Sequence, residues 1–122
     1  MPTKSEGATP GDFLLFEEND AYSRDEVTIA AGADLEPGTV LGMVTASGKY
    51  VASDEAAADG SESAVAVLVT PAAAAEADVQ AVVLARHARV RRLGLTFDAS
   101  YDTETKRDAA AASLKGQGIL VT

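Results

Sequence analysis

The chain alternates short apolar runs with polar breaks marked by glycine, proline, aspartate and serine, which is the punctuation of a β-rich protein. One run stands apart: Ala64-Val65-Ala66-Val67-Leu68-Val69 contains no polar side chain. A strand with one wet face shows a polar residue at every second position, so this run predicts a strand buried on both faces, the candidate core strand. Upstream, Val40, Leu41, Met43 and Val44 predict a strand, Ser47-Gly48 a turn, and Lys49 to Ala52 a returning strand. Asp59-Gly60 predicts the turn that feeds the core strand, with the glycine at positive φ.

The flanking segments follow the same logic. Tyr22 to Asp25 reads as a turn, Glu26 to Ala31 as a first strand with Val27 and Ile29 on one face, and Gly32 to Gly38 as a loop with Leu35 tucked inward. Pro71 has no amide proton and ends the core strand. Ala72 to Ala77 is compatible with a helical turn or a small-residue loop. Asp78 to Val90 predicts one long strand with Val79, Val82, Val83 and Leu84 as its apolar body, and Leu93 to Phe97 a short one. Asp102 is placed to cap a helix running from Thr103 to Lys115, with Glu104 in its first turn and Lys115 in its last, both favourable to the helix dipole. Ala110 and Leu114 share one helical face, Gly116 or Gly118 can end the helix in a left-handed residue, and Ile119-Leu120-Val121 returns to a sheet or to a subunit interface. The predicted fold class is mostly β with one C-terminal α-helix, a mixed α+β domain.

Residues 1–11 are proline, threonine, serine, glycine and charge, with nothing to bury, and are expected to be disordered in isolation. Asp12 then leads into Phe13-Leu14-Leu15-Phe16. Two readings of this tetrapeptide are open: it packs on the domain as an ordinary terminal strand, or it belongs to an arm that orders by adding a strand to a partner's sheet edge. The second reading divides the chain into a flexible arm, residues 1–21, and a folded domain, residues 22–122.

A length of 122 residues supports one domain with a small core. The absence of cysteine removes disulfides, thiolate metal sites and cysteine nucleophiles together. No run approaches the ~18 consecutive apolar residues of a membrane span. Met1-Pro2-Thr3-Lys4 introduces no apolar signal region, so the chain is expected in the cytoplasm of the cell that makes it. The net charge of −9 is unevenly spread: −5 over residues 1–26, −7 over 27–85 and +3 over 86–122.

The basic run Arg86-His87-Ala88-Arg89-Val90-Arg91-Arg92 raises the question of nucleic acid. The acidic surroundings, the lack of interleaved aromatic residues and the absence of a recognised binding motif argue against it. Arg86, Arg89, Arg91 and Arg92 are instead candidates for charge pairing with another copy or with a partner's acidic surface. His87 is the only histidine, so histidine triads and multi-histidine metal sites are excluded by count. The acidic pairs Asp54 with Glu55, Asp59 with Glu62, and Asp98 with Asp102 lack calcium-loop spacing, and the glycines match no phosphate-binding fingerprint. No catalytic, cofactor or metal site is expected, and the chain does not read as an enzyme.

The order of features resembles the head decoration protein D family of tailed bacteriophages. The resemblance is carried by the extended pair joined at Ser47-Gly48-Lys49-Tyr50, the Asp59-Gly60-Ser61 loop leading into an uninterrupted valine and leucine strand, and the apolar strand into Phe97-Asp98. A helix opening at Asp102 to Arg107 and the short ending Gly118-Ile119-Leu120-Val121 complete it, over residues 22–122. It implies a small β-clip-like fold assembled as a homotrimer. It further implies a structural cement that binds the outside of the expanded head and holds the shell against packaged DNA. The implied partners are the major capsid protein and further copies of the chain, with no nucleic acid and no membrane. The implied location is the outer capsid surface of the virion, after assembly in the host cytoplasm. Within this resemblance Asp12, Phe13, Leu14, Leu15 and Phe16 are the candidate capsid-binding arm. A different class of function, a free-standing module that holds a glycan or peptide on its loops or sheet edges, is the alternative.

Overall fold

The computed structural model describes residues 13–17 and 23–122. Its strands are β1 (Leu14–Glu17), β2 (Arg24–Ile29), β3 (Ala33–Leu35), β4 (Val40–Met43), β5 (Tyr50–Ala52), β6 (Ala66–Leu68), β7 (Ala72–Ala74), β8 (Val79–Leu84), β9 (Ala88–Val90) and β10 (Ile119–Val121). A 3-10 turn spans Arg92–Gly94, and α1 spans Glu104–Gly116. The protein is mostly β with a C-terminal helix, as its sequence predicts. Strands β2, β5, β4, β6 and β8 close into a barrel, β3 pairs with β7, and β9 lies between β1 and β10 in a separate sheet.

The barrel explains why the core run carries no polar side chain. Ala66 and Leu68 point inward and pack with Ile29, Leu41, Ala81 and Val83. Val67 and Val69 point outward and are buried beneath Phe13, Val90, Leu114 and Ile119 from the sheet and helix. Successive residues of a strand face opposite sides, and here both sides are dry. Val67 and Leu68 have no exposed surface, as predicted. Strand β8 divides in the same way, with Ala81 and Val83 inside and Val82 and Leu84 outside.

The loop before β6 lies close against the barrel wall. Gly60 has φ +105°, the left-handed region that a turn before this strand requires. Where the loop crosses β4, a Cβ on Gly42 would stand 2.2 Å from the Ser61 carbonyl oxygen, so only glycine fits. The Ser53 hydroxyl donates to that same carbonyl at 2.8 Å. It also lies 2.8 Å from the Tyr101 hydroxyl, which donates to the Glu62 carbonyl at 3.1 Å. A buried polar knot thus ties the loop to the segment that opens α1.

Several elements differ from the expectation. The strand predicted over 78–90 is two strands: β8 completes the barrel, and the chain turns through His87, at φ +49°, before β9 joins the other sheet. The loop expected at 32–38 and the helical turn or small-residue loop expected at 72–77 contain β3 and β7, whose register runs Ala33↔Ala74, Asp34↔Ala73, Leu35↔Ala72. Alanine carries little strand preference, and this ladder is fixed by its partner rather than by local propensity. Residues 93–97 form no strand: the 3-10 turn occupies the start and a single bridge, Thr39↔Thr96, the end. The helix is capped by Thr103, not Asp102: its side chain accepts from the Lys106 amide, while Asp102 pairs with the Lys106 ammonium at 3.1 Å. The helix ends through Gly118, at φ +87°, as predicted.

The segment 13–17 is part of the domain. Phe13 is fully buried, and β1 pairs antiparallel with β9 of the same chain. A boundary at residue 21 therefore cuts through a sheet. The physical reason is the burial available to a large aromatic ring: Phe13 lies beneath Gly38, whose missing Cβ would stand 3.2 Å from its ring. Asp12 and the remainder of the expected arm lie outside the described residues.

Candidate functional site: the open face of the outer sheet

The sheet β1-β9-β10 is assembled from the two ends of the chain and its middle. Its inner face contributes Ala88, Val90 and Ile119 to the core. Alternation then sends Arg89 and Leu120 to the outer face. The register aligns them across the sheet, Phe16↔Arg89 on one side and Leu120↔Arg89 on the other. Phe16 is 57% exposed and Leu120 47%, and Arg89 is exposed between them. A slip in register between Leu14 and Phe16 turns Leu15 outward as well. Phe16, Arg89 and Leu120 line a shallow groove of about 400 Å³ with His87, Ala88 and Gly118.

The surrounding surface adds to this face. Leu93, on the 3-10 turn, is 94% exposed. The turn is tied to the end of β10 by the Arg92 amide, which donates to the Thr122 carbonyl at 2.9 Å. Of the large apolar side chains exposed among the described residues, Leu15, Phe16, Leu93 and Leu120 lie on or beside this sheet, and only Met43 belongs to the barrel. Such clustering is a mark of an interaction surface, because isolated exposed apolar residues are ordinary and contiguous ones are not.

The structure sorts the four arginines of the basic run. Arg86 forms a two-bonded pair with Asp25, at 3.1 and 2.6 Å. Arg92 bridges Glu104 and Asp108 on α1. These two fasten the sheet and its approaches to the barrel and the helix. Arg89 and Arg91 are exposed and make no ion pair among the described residues. Alternation about buried Val90 places both on the outer face. Positive φ at His87 and the 3-10 turn at 92 limit that alternation to residues 88–91, so His87 and Leu93 do not extend it as a regular strand would.

Of the segment expected to form an arm, Phe16 and Leu15 stand on the open face, Leu14 is half-buried and Phe13 is buried. Strand alternation through the basic run predicts His87 and Leu93 on the face of Arg89 and Arg91, and Leu93 stands exposed beside that face on the 3-10 turn. Its signal was an apolar residue directly after an arginine pair, which reads equally as the start of a strand.

Two acidic side chains elsewhere, Asp59 and Asp78, are held in structural roles. Hydrogen bonds from the Ser61 hydroxyl and amide hold the Asp59 carboxyl below its ordinary range. The Lys49 ammonium and the Ala31 amide do the same for Asp78. The hydrogen bond that the Lys106 ammonium donates to Asp102, with the charges of Asp102 and Glu55, raises Lys106. Burial raises the Tyr50 hydroxyl, reinforced by the nearby Asp25 charge and opposed by Arg86. No group of three or more histidine, aspartate or glutamate side chains is placed to hold a metal ion among the described residues.

No helix of the described residues is long and apolar enough to cross a membrane. A search of curated proteins found no match to the chain. The family model for bacteriophage lambda head decoration protein D matches residues 3–119 of the 122-residue chain. With nearly its full length matched, and with the mostly β architecture and C-terminal helix described above, the chain belongs to the bacteriophage lambda head decoration protein D family.

Proposed function

We propose that this protein is a cement of the phage head: it assembles as a homotrimer on the outside of the expanded shell, contacts the major capsid protein and stabilises the shell against the pressure of packaged DNA. The observation that carries this reading is the family match across residues 3–119. Two physical features support it. The barrel strands are only three to six residues long, so a subunit interface would add useful burial to a small core. Apart from Met43, the large apolar side chains exposed among the described residues also lie on or beside one sheet, where a single docking event would cover them together.

The test uses heads of the phage that encodes the chain, prepared with and without the protein. Electron microscopy is expected to show regular protrusions in copy numbers set by the shell lattice, and sedimentation equilibrium a trimer of the free protein. Filled heads lacking the protein should release DNA at a lower temperature than decorated ones. Failure of the purified protein to bind expanded heads would overturn the reading.

A further inference from the structure

Resting on the head-decoration reading, we propose that the open face of the sheet β1-β9-β10 is the shell-docking surface and that it takes an acidic, apolar-bearing segment of the shell protein. On this face one carboxylate meets Arg89, a second meets Arg91, and an apolar side chain settles against Phe16 and Leu120.

Three observations carry the proposal. The first is geometric: the sheet's register sets Phe16, Arg89 and Leu120 in one row, so a cation stands between two exposed apolar groups at fixed spacing. Strands hold side chains at defined positions, which makes this a surface able to discriminate rather than a chance cluster.

The second is charge. Arg24, Arg86, Arg92 and Arg107 are each paired with a carboxylate of the same chain. Arg89 and Arg91 are the arginines that have no such partner among the described residues, although the chain carries 19 acidic residues. In a chain with that excess of acid, two unneutralised arginines on one face leave a positive patch that selects a negatively charged partner. A second copy of this acidic chain would also fit in sign, although several of its carboxylates are already paired within the chain, and the subunit stoichiometry of the variants separates it from the shell protein. Asp25, Glu55, Asp78, Asp102, Glu104 and Asp108 all face cations of their own chain.

The third is the contrast in exposed apolar surface. Apart from Met43, every exposed large apolar side chain among the described residues lies on or beside this sheet. An interface with an apolar centre and a cationic element is built to exclude water around a charge pair, where such a pair counts most.

The experiment measures co-sedimentation of the full chain with expanded heads of its own phage from which this protein is absent. It compares the natural protein with Arg89→Glu, Arg91→Glu and Leu120→Asp across a range of salt. Melting temperature, sedimentation equilibrium and anisotropy with duplex DNA are recorded for each. Arg89→Glu and Leu120→Asp should each weaken head binding by roughly tenfold or more, and Arg91→Glu by a smaller factor. Melting temperature and subunit stoichiometry should stay unchanged for Arg89→Glu, whose side chain is exposed. The natural protein's binding should weaken with salt, and that dependence should flatten in Arg89→Glu.

Normal head binding by Arg89→Glu and Leu120→Asp, beside a natural protein that binds, would overturn this assignment and leave the head-decoration reading standing. A natural protein that does not bind heads would overturn both. Dissociation of the variants into smaller species would reassign the face to contacts between copies and overturn the shell as its occupant. Duplex-DNA binding lost in Arg89→Glu, with head binding intact, would reassign it to nucleic acid.

Discussion

The barrel and the outer sheet bury their apolar surface in opposite ways. In the barrel, the inner residues Ile29, Leu41, Leu68 and Val83 meet one another, and the outer residues Val40, Val67 and Leu84 lie under the sheet and helix. The ladder closes on itself, although β2 and β5 meet through the single register pair Ile29↔Tyr50. In the sheet, one face rests on the barrel while the other holds Phe16 and Leu120 in solvent around Arg89. Closure removes edges and exposed faces, and with them the means to bind. The difference teaches that the same short strands serve stability where they close and recognition where they remain open.

The comparison can be broken at its seam. Phe13 joins the sheet to the barrel, and Phe13→Ala should cost about 3–5 kcal/mol in denaturant unfolding. A loss under about 1 kcal/mol would show that the sheet is an appendage on an independent barrel. Deletion of residues 1–17 should lower the melting temperature for the same reason, whereas a free arm could be removed without effect. Leu68→Ala, inside the barrel, should cost about 2–5 kcal/mol by leaving a cavity where no side chain can collapse from a wet face.

A smaller effect is expected where the loop crosses β4. Gly42→Ala sets a methyl group against the Ser61 backbone, which cannot swing aside, and should cost about 1–3 kcal/mol. Wild-type stability in that variant would mean that the loop rides free of the barrel wall.

The smallest effect concerns acid. Asp59 is depressed chiefly by the Ser61 hydroxyl. A carboxyl whose folded pKa lies below its unfolded value, about 4, contributes stability above that value and loses it as the pH falls through the folded pKa. Asp59→Asn should therefore lower the melting temperature slightly at neutral pH and make the decline below about pH 4 shallower. An acid limb identical to that of the natural protein would show that the Asp59 bonds contribute nothing to folding.

What was legible in the sequence was whatever a single segment determines. A run without polar residues has to be buried on both faces, and Ala64 to Val69 was placed accordingly. Gly60 and Gly118 adopt the positive φ that their turns require, and Ala110 and Leu114 bury the face that a period of 3.6 residues defines. The basic run was visible, but not its division into the paired Arg86 and Arg92 and the open Arg89 and Arg91.

The tertiary structure decided whatever depends on a distant partner. Ala72–Ala74 is a strand because Ala33–Leu35 lies beside it. The predicted strand over 78–90 breaks at His87 because its two halves are claimed by different sheets. Phe13 is core because Gly38, Val90 and Leu114 leave room for its ring. Pairing energy between strands comes from contacts separated by tens of residues, and no local pattern encodes which segment will supply the other side. The open face is the clearest case: Phe16, Arg89 and Leu120 are 73 and 31 residues apart in sequence and become one row only when β9 is paired on both edges.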